Sequence, residues 1–81
     1  MVYRRKLTIG EARILELVRD IYGDQNTEKE VFFPSEEEAA IFVKTADGSS
    51  PIMVHLTNLA KWRSNGTIAS DEALKKDWLM S

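Results

Sequence analysis

The sequence contains no cysteine, only two prolines, four glycines and one histidine. Without thiols there are no disulfide staples, no thiolate metal ligands and no cysteine nucleophile. The glycines, Gly10, Gly23, Gly48 and Gly66, stand singly, so no glycine-rich loop is available to cradle a phosphate, and nucleotide binding has no support. Long apolar runs are missing too. The longest cover residues 39–43 and 51–54, against the ~20 residues a membrane-spanning helix needs. The basic start, Met1 to Lys6, leads into no apolar stretch and no small-residue cleavage site, so no secretory signal is expected and the expected location is the cytoplasm. Neither sign of charge dominates: 11 Lys plus Arg stand against 13 Asp plus Glu, for a net charge of -2. Global attraction to phosphate backbones or anionic lipid is therefore absent, and a nucleic-acid contact needs a local patch.

What is present fits one domain. A chain of 81 residues, 43% hydrophobic and 30% charged, supports a single core, since halves of about 40 residues would each be too small to hold one. Thr8-Ile9-Gly10-Glu11 has capping-box spacing, the hydroxyl accepting from the Glu11 amide while the carboxylate reaches back. Apolar residues then recur at Ile14, Leu15, Leu17, Val18, Ile21 and Tyr22, with Arg13, Glu16, Arg19 and Asp20 on most of the other face. This predicts an amphipathic helix that stops at Tyr22, before Gly23 and the polar Asp24-Gln25-Asn26-Thr27. Residues 1–7 read as a short edge strand or a flexible tail.

The middle third is β-branched and aromatic. Val31-Phe32-Phe33, residues 39–45 and residues 51–56 predict three strands in an antiparallel meander, turning at Pro34-Ser35 and at Asp47-Gly48. A rival helix from Glu36, suggested by the Ser35 to Glu38 spacing, is expected to amount to one turn at most. Alternation puts Ile41, Val43, Ile52, Val54 and Leu56 on a core face, and Phe42, Lys44, Met53 and His55 on the other, joined by Phe32 or Phe33. A solvated face would be polar throughout, so something is expected to cover part of this one: either the C-terminal helices or a second chain. The last third predicts a helical hairpin. Thr57 caps a helix over residues 58–64 that stops at Asn65-Gly66, and Ser70 caps a second that runs to residue 80. Leu59 and Trp62 line the first, and Leu74, Trp78 and Leu79 the second.

Few constellations carry chemistry. His55 sits beside Val54 and Leu56 with Ser49 and Ser50 nearby, but no Gly-x-Ser-x-Gly turn positions a nucleophile, so a structural or interfacial role is expected, with a pH-sensitive contact as its second reading. Glu36-Glu37-Glu38 do not converge on one ion, because neighbours on a strand alternate faces and on a helix fan apart. Asp47-Gly48-Ser49 lacks the remaining acidic positions of a calcium loop. Asn65-Gly66-Thr67 matches a glycosylation acceptor, although a helix stop accounts for it. No catalytic residue, cofactor or metal ligand is expected.

The nucleic-acid candidates are Arg4, Arg5 and Lys6, with Lys61 and Arg63 flanking Trp62. On a helix the last two cations point ~200° apart and form no single patch. Residues 59–68 loosely resemble the recognition helices of excisionase-like regulators, which implies DNA binding, but strand-like residues 51–56 stand where that family has its first helix. About the last 24 residues, with Gly66-Thr67-Ile68 and a helix opened by acids, loosely resemble the bihelical SHOCT module. That resemblance implies a role in association. The chain departs from the module in one extra residue after Ile68, in Trp62 replacing an aliphatic residue, and in a β-rich partner within the same domain.

The reading as a whole is a single α+β domain: an N-terminal amphipathic helix, a three-stranded antiparallel sheet and a C-terminal short helical hairpin. The expected function is non-catalytic, either protein interaction or self-association as a homodimer, with Phe32, Phe42, Met53, His55 and Trp78 as interface candidates. The alternative is a small nucleic-acid-binding regulator using Arg4, Arg5, Lys6, Lys61 and Arg63.

Overall fold

A computed structural model of the chain describes residues 5–27, 30–44 and 50–79. The order of elements is helix α1 (Ile9–Tyr22), strands β1 (Phe32–Ser35), β2 (Glu38–Val43) and β3 (Ile52–His55), helix α2 (Leu56–Ser64), a single turn α3 (Asp71–Ala73) and a π-helical segment (Leu74–Leu79). The strands form one antiparallel sheet in the order β1-β2-β3, so the architecture is α+β.

The capping box sets the start of α1. Thr8 Oγ1 accepts from the Glu11 amide at 3.1 Å and Glu11 Oε1 accepts from the Thr8 amide at 2.9 Å. After Tyr22, Gly23 takes a positive φ of 82° that side chains disfavour, and its amide closes the helix on the Arg19 carbonyl at 2.7 Å. After α2 it is the Asn65 amide that closes on the Lys61 carbonyl, at 2.9 Å, and Gly66 follows with a positive φ of 84°.

The core lies between the helices and one face of the sheet. Ile14, Leu15 and Val18 of α1 pack with Ala39, Ile41 and Val43 of β2, Leu56 and Leu59 of α2, and Ile68 and Leu74 beyond it. Trp62, Phe33 and Val54 pack at its margin. Alternation along β2 is thereby resolved: odd-numbered residues face the helices and even-numbered residues face away.

Several boundaries differ from the expectation. The first turn lies at Glu36-Glu37, two residues beyond Pro34-Ser35, because Pro34 and Ser35 are still in β1. The Ser35 to Glu38 spacing closes this hairpin: Ser35 Oγ donates to Glu38 Oε1 at 3.0 Å across the turn, and no helix forms there. β3 ends at His55, so Leu56 is the first residue of α2 and reaches the core from a helix instead of a strand. Thr57 does not cap α2. Its hydroxyl is buried inside the first turn and engaged by groups from α1 and β2. Ser70 does cap the last segment, accepting from the Ala73 amide at 3.1 Å, but the chain beyond Ala73 winds more widely, as a π-helix in place of a continuous α-helix. The Asp47-Gly48 turn falls outside the described residues, as do residues 1–4, so the edge-strand reading of 1–7 reduces to Arg5, Lys6 and Leu7, which belong to no strand. Among the described residues no helix is long and apolar enough to cross a membrane.

Candidate interaction face

The face of the sheet turned away from the helices is built by strand register. Phe32 stands opposite Ala40, Ala40 opposite His55, and Phe42 opposite Met53, so Phe32, Glu38, Ala40, Phe42, Met53 and His55 share one surface. Phe32 and Phe42 stack with ring centroids 4.8 Å apart and planes 13° from parallel. Ala40, small and flanked by Phe32 and His55, is buried beneath its neighbours although it lies on the outer surface. Met53 is 40% exposed, and the adjoining Ile52, on the opposite face of β3, is 49% exposed. Four of the five interface candidates, Phe32, Phe42, Met53 and His55, thus come together on one face. Trp78 stands in the π-helical segment, and its side chain lies outside the described residues.

The polar end of that face holds the single imidazole. His55 Nδ1 lies 3.9 Å from Glu38 Oε2 and is buried, with no hydrogen-bond partner among the described residues. Glu38 is held on its other oxygen by Ser35. Among the described residues no group of three or more histidines and carboxylates could enclose a metal ion.

The cations scatter. Arg4 falls outside the described residues. Arg5 is turned inward: its two terminal nitrogens, Nη1 and Nη2, each donate to one Glu11 oxygen at 2.8 Å, Nε donates to the Glu36 carbonyl at 2.9 Å, and the group lies 5.3 Å from the Phe33 ring centroid. Arg63 pairs with Asp71 at 3.2 Å, from the side opposite to Arg13 at 3.0 Å. These guanidinium bonds, Arg13 first, hold the Asp71 carboxyl below the ordinary aspartate range. Lys6 and Lys61 are exposed on a shallow cleft of about 720 Å³ that they share with Glu37, Gly10 and Ser64.

Sequence reasoning found Glu11 only as half of a capping box and missed its larger role. It is 2% exposed, and its carboxylate receives Arg5 twice, the Thr8 amide and the Thr57 hydroxyl. Thr57 in turn accepts from the Ala39 amide at 2.7 Å, so one chain of bonds ties the N-terminal arm, α1, α2 and β2 together. The Arg5 hydrogen bonds, opposed by burial and aided by Thr57 and Thr8, bring the Glu11 pKa down to about 2. No local sequence signal announces a partner 46 residues away.

Comparison of the chain with protein-family models, with curated proteins and with solved structures gives no match. The readings of SHOCT-like and excisionase-like segments therefore rest on the residues that suggested them, and function is argued from the surface itself.

Proposed function

We propose that the chain is a small non-catalytic association domain that docks a second copy of itself through its sheet. The carrying observation is the Phe32–Phe42 stack, continued by the exposed Met53 on the face opposite the helical layer. Half-buried aromatic rings beside an exposed thioether, the state of Phe32, Phe42 and Met53, make a surface of the kind enriched at interfaces. Nucleic-acid binding draws less support, because two of its five cations, Arg5 and Arg63, are engaged by Glu11 and Asp71. Phosphate contacts need guanidinium donors that are not already given to carboxylates.

Light scattering coupled to size exclusion tests the reading. As concentration rises from about 10 to 500 μM, the mass should climb from 9.2 kDa toward twice that value. Met53→Lys, at an exposed position, should keep the native thermal midpoint and hold the mass at the monomer value. A native chain that stays monomeric over the whole range refutes the proposal.

A further inference from the structure

A three-stranded sheet has two edges, and this chain treats them differently. β1 contains Pro34, which has no amide proton to donate, and its pairing with β2 shifts register between Phe32 and Ser35. Arg5 bonds the Glu36 carbonyl just past the end of that strand. Proline, irregular register and polar cover are the devices by which edge strands avoid pairing with other chains. β3 uses none of them within Ile52–His55: Pro51 precedes the strand, none of its four residues is acidic, Lys or Arg, and among the described residues β2 is its only strand neighbour.

The side chains point the same way. Ile52 and Met53, 49% and 40% exposed, are consecutive and so project to opposite faces of the sheet. A partner lying flat on the outer face shelters Met53 alone. A strand added along the edge shelters both.

We infer that β3 is a docking edge and that its occupant is β3 of a second copy, paired antiparallel across a two-fold axis to give a continuous six-stranded sheet. The inference rests on the self-association reading and specifies its geometry. A two-fold perpendicular to the sheet keeps outer face with outer face, so Met53 meets the partner's Met53 or the partner's His55. The two aromatic stacks then belong to one continuous surface. With no carboxylate, Lys or Arg in β3, self-pairing sets no such like charges opposite one another. The pairing also leaves only the two protected β1 edges at the outside, so the assembly stops at two copies. Four residues at ~3.4 Å each make a seam of about 14 Å, too short to reach the ~800 Å² per partner of a standard stable interface. The dimer is therefore weak and dissociates on dilution.

The experiment is nuclear magnetic resonance on a mixture of differently isotope-labelled native chains at about 1 mM, with light scattering on the same sample. Expected are cross-chain contacts between β3 amide protons and β3 α-protons, and exchange of β3 amides slowed at least about threefold relative to ~20 μM. A dimeric mass with cross-chain contacts confined to the Phe32 and Phe42 rings overturns strand pairing and leaves the association reading standing. A monomeric mass at 1 mM overturns both.

Discussion

Replacing Glu11 with glutamine removes one charge from the centre of the bond network while keeping nearly the same shape. Glutamine at this third helical position still serves a capping box and still offers an oxygen to the Thr8 amide. What it loses is the ionised partner of Arg5. A carboxyl held at about 2 against its ordinary 4.5 is stabilised in its ionised form by at most about 3 kcal/mol. Arg5 is 28% exposed, so water screens part of the interaction and about 2 kcal/mol is the working figure. For 81 residues, a total stability of about 4 to 12 kcal/mol makes that a large share. Urea unfolding followed by tryptophan fluorescence suits the measurement, since Trp62 packs against the core. The sign with pH follows from the lowered value. The folded carboxylate contributes fully above about 4.5, and its contribution is lost as pH falls through about 2. The stability gap between native chain and Glu11→Gln should therefore be widest at neutral pH and close over that acid range. A gap under about 0.5 kcal/mol at pH 7, as for an exposed ion pair, refutes the reasoning. So does a gap that persists unchanged at low pH.

Three further substitutions probe other parts of the fold. Thr57→Val strips the acceptor from the buried Ala39 amide and should cost about 2 kcal/mol in chemical denaturation, whereas Thr57→Ser should restore most of it. Leu74→Ala empties a fully buried site and should cost about 2 to 4 kcal/mol, with amide exchange faster in the C-terminal segment than in β2. Gly66→Ala introduces a side chain where φ is 84° but where a Cβ would meet nothing within 4 Å, so a loss of about 1 kcal/mol in thermal unfolding should reflect backbone strain alone.

Legibility in the sequence followed the range of the interactions. α1 could be read because its start and stop depend on neighbours: Thr8 with Glu11, and Gly23 with Arg19. The β segments were recognisable from Ile41-Phe42-Val43, whose β-branched and aromatic side chains outweighed the helical suggestion of Ser35 and Glu38. That same spacing proved ambiguous because hydroxyl and carboxylate three residues apart can meet across a tight turn as well as at a helix start. The α2 boundary was missed for a different reason. Thr57 looks like a cap until distant groups claim its hydroxyl, and Glu11 and Ala39 lie 46 and 18 residues away. The outer face was legible as a pattern of Phe42, Met53 and His55, whereas the contrast between its two edges needed the strand order and the exposure of Ile52.

The bonds converging on Glu11 also bear on the time course of folding. Their members join residues 6, 31, 18 and 46 positions apart, so the network can close only after long loops have been brought together, at an entropic cost that local helix formation does not carry. Desolvating the carboxylate before Arg5 and Thr57 arrive would be unfavourable, which places this step on the native side of the folding barrier. Glu11→Gln should then leave the refolding rate nearly unchanged and raise the unfolding rate. The network acts as a latch: it governs how long the folded chain stays folded, and has little influence on how quickly it gets there.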